Sequence, residues 1–148
     1  MTIPVTAGIV ILDTNVVSEP MRPSPSPAVM AWLSSKPENG HFFVTTLTMA
    51  EILFGVELLS RGKRRDNMLA QAQATFAEDF AGRILPFDED AARAFAAIAA
   101  SRRGQGRPIA DLDAQIAAIA RSRGAILATR NTADFEGCGI RLVNPWLA

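Results

Sequence analysis

Short runs of β-branched and aliphatic residues alternate along the chain with longer segments whose apolar residues recur every three or four positions. The runs cover residues 8–12, 42–46, 83–87, 125–129 and 140–143, and we predict a strand for each. Strands that alternate with helices form right-handed crossovers and a parallel sheet covered on both faces. The pattern therefore predicts an α/β fold, a three-layer α/β/α sandwich around a central, mostly parallel five-stranded sheet.

Helix signals fill the intervals between these strands. Ser26 as N-cap with Pro27 at the first helical position begins one helix, and Asp88 is the N-cap of an alanine-rich helix. Apolar residues at helical spacing predict two more helices before residue 83 (Ile52, Val56, Leu59; then Met68, Leu69, Ala72, Phe76, Phe80) and another over about residues 109–122. The proline-rich stretch 20–27 is a loop, and we predict a single domain over residues 1–148.

Composition excludes several kinds of site. The chain has one cysteine, Cys138, and one histidine, His41, so it has neither a disulfide framework nor a Cys/His zinc site. His41 lies in no recognisable nucleophile motif, so hydrolysis would have to use carboxylates, hydroxyls, arginine or a hard metal ion. The segment 5–12 is too short to cross a membrane and follows no basic region, which favours a cytoplasmic protein.

The formal charge is zero, with 15 basic and 15 acidic residues. This balance argues against a protein that coats nucleic acid by charge alone, but it leaves room for a nuclease with a local basic rim. Two basic clusters could contact RNA phosphates or simply be solvated helix ends, and both interpretations stay open: Arg61, Lys63, Arg64 and Arg65; Arg102, Arg103 and Arg107.

Acidic residues lie where a parallel sheet would gather them. Asp13 directly follows the first strand, although an Asx turn or helix cap would also explain it. Glu51 either forms a capping box with Thr48 or projects towards Asp13. Asp113 shares the inward stripe of its helix, where an unpaired carboxylate needs a cation or several donors. Asp111 is better explained as an N-cap or first-turn acid.

The segment after the fourth strand adds two polar candidates. Asn131 could cap a turn, ligate a metal or orient water through its amide oxygen, and Asp134 brings a charge one turn later. Clustered carboxylates repel one another unless a cation neutralises them, and oxygen ligands suit Mg²⁺ or Mn²⁺. Such a site could activate water for attack on a phosphodiester.

Several of these segments together resemble a known family. They are residues 11–19 (Ile-Leu-Asp-Thr-Asn-Val-Val-Ser-Glu), Ala50-Glu51 with Phe54-Gly55-Val56, Asp113-x-x-Ile116-Ala117-Ala118, Ala128-Thr129-Arg130-Asn131 with Asp134-Phe135, and Asn144-Pro145-Trp146. The chain resembles the PIN-domain ribonucleases, in particular the VapC-type toxins of the FitB-like branch, over nearly its whole length.

The resemblance implies a Mg²⁺-dependent endoribonuclease, the toxin of a type II toxin–antitoxin pair, which is held inactive by its antitoxin and forms a homodimer. DNA would be contacted only through the antitoxin, and no membrane is involved. By the same resemblance Asp13 and Asp113 are metal ligands, and Glu51 binds the metal directly or through water. Asn131 stands where many members have a fourth carboxylate, so Asp134 could replace it or one metal could suffice.

Two other functions stay open from the residues alone. A metal-dependent phosphatase would use Asp13 as nucleophile, but the companion aspartate expected two residues later is Asn15. An inactive PIN-like module that only binds proteins is the other alternative, and Asn131 gives it some support.

Overall fold

The structure is a computed structural model that describes residues 8–35 and 41–148. The strands are β1 (Ile9–Leu12), β2 (His41–Thr45), β3 (Ile84–Leu85), β4 (Ile126–Ala128) and β5 (Arg141–Val143). The α-helices are α1 (Thr14–Ser18), α2 (Pro27–Ser34), α3 (Thr46–Glu57), α4 (Lys63–Ala74), α5 (Glu89–Gly104) and α6 (Asp111–Ser122). Short helical turns follow α1 at Glu19–Met21, follow α4 at Thr75–Asp79 and follow β4 at Thr132–Phe135.

The five strands form one sheet in the order β3-β2-β1-β4-β5. Every pairing between them is parallel, which confirms the predicted parallel sheet. In the centre, Leu12 of β1 is in register with Ala128 of β4. The residues that follow these two strands therefore emerge side by side at the carboxyl edge.

Two apolar cores cover the two faces of the sheet. Alternate residues of β1 point to opposite faces: Ile11 packs with α5 and α6, and Val10 and Leu12 pack on the side of α1 and α4. Ile116 of α6 is completely buried in the first core. This arrangement confirms the three-layer sandwich, because a strand buried on both faces needs apolar residues at every position.

Most helix boundaries follow the predicted signals, and one predicted residue lies outside its helix. Ser26 and Asp88 accept hydrogen bonds as N-caps of α2 and α5, as expected. Leu59 lies beyond α3, which ends at Glu57. The helix predicted beyond Gly62 is α4, which continues into a π-helical turn at Thr75–Asp79. Ala72, Phe76 and Phe80 pack in the same core, as predicted.

Residues 1–7 lie outside the described residues, and they include the start of the apolar segment 5–12. Among the helices of residues 8–35 and 41–148, none is both long enough and apolar enough to cross a bilayer.

Candidate active site

Adjacent strands place Asp13 and Thr129 next to each other. The backbone amide of Asp13 donates to the carbonyl of Ala128 at 2.9 Å, which continues the pairing of β1 and β4 by one residue. The Thr129 hydroxyl then donates to Asp13 Oδ2 at 2.8 Å. Asp13 is therefore fixed at the carboxyl edge of the sheet by a residue 116 positions away in the sequence.

Asp13 is both a helix cap and a buried carboxylate. Its Oδ1 accepts the backbone amide of Thr14 at 2.8 Å, so it is the N-cap of α1. Asn15 Nδ2 lies 3.4 Å from Oδ2. Burial raises the pKa of Asp13, the hydrogen bonds from Thr129 and Thr14 lower it, and the charge of Asp134 raises it further, with a net upward shift. Asp13 is both a helix cap and a buried carboxylate, so its capping role does not exclude a catalytic role.

Glu51 projects from α3 towards the N-terminal turn of α1. The Thr14 hydroxyl donates to Glu51 Oε1 at 2.7 Å and lies 3.1 Å from the hydroxyl of the buried Thr48. The capping box predicted for Thr48 and Glu51 is wrong, because α3 begins at Thr46 and its N-cap is Thr45, whose hydroxyl accepts the amide of Thr48. Glu51 is therefore held next to Asp13 by the residue that follows Asp13.

Asp113 approaches the same edge from the first turn of α6. Burial is the main reason that its pKa is raised to about 6, and the charges of Asp13, Asp134 and Glu51 raise it further. The pKa of Asp113 therefore responds to acids carried by the ends of β1 and β4 and by α3. Asp111 is exposed and is the first residue of α6, whose N-cap is Ala110. The first-turn assignment of Asp111 is thus confirmed and its N-cap assignment is wrong.

The segment after β4 places Asn131 and Asp134 at the exposed side of this region. The backbone amide of Asn131 donates to the Thr129 hydroxyl at 3.1 Å, and the amide of Asp134 donates to the carbonyl of Asn131 at 3.0 Å. Asn131 occupies the N-cap position of the Thr132–Phe135 turn without a side-chain capping bond. Asp134 is the residue whose charge reaches both Asp13 and Asp113.

The donor set suits a hard divalent cation. The ion pairs found within the described ranges do not include Asp13, Glu51, Asp113 or Asp134, so no basic side chain neutralises the cluster there. No three His, Cys, Asp or Glu side chains in that part of the chain converge as a complete metal cage. Mg²⁺ does not need one, because it keeps several waters and binds through one or two carboxylates.

One of the basic clusters divides into a structural arginine and exposed ones. Arg102 is 5% exposed. Its guanidinium donates to the carbonyls of Arg107, Asp134 and Glu136 at 2.8, 2.9 and 3.1 Å. It therefore fixes the segment that carries Asp134 to the end of α5, and the interpretation of Arg102 as an RNA contact is wrong.

Two threonines of the site, Thr14 and Thr129, were not predicted as functional residues from the sequence. Thr14 donates to Glu51 and contacts the hydroxyl of Thr48, and Thr129 donates to Asp13. The only available signal was position, since Thr14 and Thr129 follow strands at the carboxyl edge. A cavity of about 490 Å³ borders α1 nearby, between Leu12, Val17 and Phe42, and none of the candidate acids lines it.

Comparison with known proteins assigns the family. The model of the PIN domain matches residues 10–137. The chain belongs to the PIN-domain family. Membership implies the use of a divalent metal ion, which agrees with the uncompensated carboxylates.

Individual relatives extend this comparison over nearly the whole chain. The chain is 39% identical to the toxin FitB of Neisseria gonorrhoeae over 138 residues, which are 93% of this chain and 99% of that protein. It is 37% identical to the VapC ribonuclease Y4jK of Sinorhizobium fredii, with 93% and 98% covered. A solved structure of FitAB bound to an IR36 DNA fragment superposes with a TM-score of 0.86 at 39% identity, covering 93% of this chain and 95% of that one.

Proposed function

We propose that this PIN-domain protein is a Mg²⁺-dependent endoribonuclease and the toxin of a type II toxin–antitoxin pair. The observation that carries the proposal is that Thr129 holds Asp13 and Thr14 holds Glu51 at one sheet edge, where burial and the charges of Asp13, Asp134 and Glu51 raise the pKa of Asp113. Four acids that repel one another gain from a bound cation, and the PIN-domain relatives include a named ribonuclease.

Asp13 and Asp113 are the proposed direct metal ligands. A bound divalent ion favours ionisation of a water molecule and offsets the charge that builds up on a phosphate under attack. Glu51, held by the Thr14 hydroxyl, orients the attacking water and accepts its proton. The water oxygen bonds to phosphorus while the bond to O3′ breaks and O3′ takes a proton from a solvent water, which leaves a 5′-phosphate and a 3′-hydroxyl.

Asp134 is the better proposed fourth acid. Its charge acts on both Asp13 and Asp113, whereas Asn131 brings no charge. We therefore assign Asn131 to orienting water or substrate through its amide group, and Asp134 to the negative potential that attracts the ion. Mn²⁺ would serve the same ligands, since both ions prefer carboxylate and water oxygens.

The proposed partners are RNA, a cognate antitoxin and a second copy of this chain, with DNA reached only through the antitoxin. The name of the relative FitB and the FitAB–DNA complex support the antitoxin and its DNA. On α3 and its C-cap, Phe54 is 63% exposed and Leu58 is 69% exposed. Two neighbouring exposed apolar side chains favour association, so we propose a homodimer. An RNA substrate also favours a cytoplasmic location.

We also propose that residues 1–148 form a single domain. The strands of one sheet are drawn from residues as distant as Ile9 and Val143, so a domain boundary between them would divide the sheet.

Cleavage of RNA by the antitoxin-free protein tests the function. Asp111→Asn is the matched control for Asp113→Asn, because both carboxylates lie in the first turn of α6. We expect cleavage with Mg²⁺, none with EDTA, strong loss in Asp13→Asn and Asp113→Asn, and near-normal activity in Asp111→Asn. Cleavage that survives EDTA or Asp13→Asn would refute the proposal.

The same experiment separates the alternatives. Hydrolysis of small phosphate monoesters without RNA cleavage would indicate the phosphatase. Asn15 argues against that function, because a phosphatase of this kind would have a second aspartate two residues after Asp13. Antitoxin binding without any hydrolysis would indicate the inactive module.

A further inference from the structure

The segment Asn144-Pro145-Trp146 has a defined place beside the acidic site. It follows β5, which neighbours β4 in the sheet. Asn144 Nδ2 donates to the carbonyl of Arg130 at 3.4 Å, and Asn144 Oδ1 accepts the amide of Trp146 at 2.9 Å. One asparagine side chain thus joins Arg130 and Trp146.

Both the backbone and the guanidinium of Arg130 make contacts that orient this residue. Its amide donates to Asn15 Oδ1 at 3.3 Å, and its guanidinium carbon lies 5.0 Å from the centroid of the Trp146 ring. Arg130 is exposed, and the ion pairs and side-chain hydrogen bonds found among residues 8–35 and 41–148 leave its guanidinium without a carboxylate or carbonyl partner. Its N–H donors therefore face solvent in a fixed orientation.

The backbone of Arg130 adjoins the acidic cluster. The preceding residue, Thr129, donates to Asp13, and Asn15 contacts both Asp13 and the amide of Arg130. A polyanion that approaches Asp13 meets repulsion from the neighbouring acids, and the chain as a whole carries no net charge to offset it. The Arg130 guanidinium, which lies over Trp146 beyond the carboxyl end of β5, supplies a positive charge at the same edge of the sheet.

We propose that Arg130, supported by Trp146, binds a backbone phosphate of the RNA next to the bond that is cleaved. The proposal rests on the proposed ribonuclease function and adds a substrate contact to it. A guanidinium presents paired N–H donors that match phosphate oxygens. The indole supports the guanidinium through a cation–π contact.

Salt dependence of RNA binding distinguishes a phosphate contact from a structural pair. We would measure the anisotropy of a fluorescein-labelled single-stranded RNA with the full-length protein in EDTA, between about 50 and about 200 mM KCl. The variants are Arg130→Gln, Arg130→Lys and the control Arg141→Gln. Arg141 is an exposed arginine at the opposite, amino end of β5.

Arg130→Gln is expected to reduce the slope of log affinity against log salt by about 0.7, which means about fivefold weaker binding near 0.1 M salt. Arg130→Lys should keep the slope and Arg141→Gln should match the wild type. Cleavage with Mg²⁺ should show a raised KM in Arg130→Gln, and melting curves should show unchanged stability.

Three results would overturn the inference. The first is that Arg130→Gln binds RNA with the same affinity and the same salt dependence as the Arg141→Gln control, while the wild type still cleaves RNA. The ribonuclease proposal would then stand, but without this contact. Another is weaker antitoxin binding with unchanged RNA binding, which would make Arg130 a protein contact. If the wild type neither binds nor cleaves RNA, the ribonuclease proposal and this inference both fail.

Discussion

Replacement of Asp113 by asparagine should stabilise the metal-free protein at neutral pH. Burial and the charges of Asp13, Asp134 and Glu51 raise the pKa of Asp113 to about 6. A carboxyl group with a raised folded-state pKa contributes stability that is fully present below its unfolded pKa and is lost as the pH rises through the folded pKa. Asparagine has nearly the same shape and no charge, so it removes that loss.

The size of the effect follows from the shift. From 3.8 to about 6, at about 1.36 kcal/mol per pKa unit, the upper bound is about 3 kcal/mol. Because Asp113 is only half-buried, solvent screening reduces this to about 1.5 kcal/mol. For a chain of this length the melting temperature should rise by roughly 3–6 °C.

Thermal unfolding followed by circular dichroism in EDTA measures this difference. The gain of Asp113→Asn over wild type should be present near pH 7 and much smaller near pH 4, where the wild-type carboxyl is largely protonated in the folded protein. Asp111→Asn, on the exposed side of the same helical turn, should show no gain. A variant no more stable than wild type near pH 7, or a gain of equal size at both pH values, would refute the reasoning.

Other variants test the supporting contacts. Thr14→Val removes the donor to Glu51 and should lower the single-turnover cleavage rate about tenfold, whereas Thr14→Ser should retain it. Arg102→Met leaves buried carbonyls unpaired and should lower the free energy of unfolding in urea by about 3 kcal/mol, while Arg103→Met on the exposed side should stay within about 0.5 kcal/mol. Phe54→Ser should convert the proposed dimer to a monomer in light scattering; an unchanged mass would place the interface elsewhere.

The sheet could be predicted because its strands are buried on both faces. Ile9–Leu12 forms a continuous apolar run, which distinguishes it from the amphipathic helices around it. The boundary between β2 and α3 was harder to predict from the sequence. Thr45 ends the strand and caps the helix in the same residue, so no loop marks the change, and a plausible capping box at Thr48 was misleading.

The candidate acids could be proposed from topology, but the residues that hold them could not. Asp13 follows a buried strand, and that position alone points to the carboxyl edge. The hydroxyl contacts of Thr14 and Thr129 join residues 37 and 116 positions apart. Likewise, Arg102 looks like part of a basic surface cluster until the carbonyls of the 134–136 segment are seen to enclose it. Such contacts depend on tertiary packing that local patterns do not encode.

Direct metal binding tests the central claim, that carboxylates distant in the sequence meet to hold one divalent ion. Mn²⁺ titrated into the metal-free protein can be followed by the electron paramagnetic resonance signal of the free ion. Wild type and Asp111→Asn should bind Mn²⁺ with equal affinity, and Asp13→Asn and Asp113→Asn should each bind it much more weakly. Absence of binding by the wild type, or equal affinity in Asp113→Asn, would contradict the account.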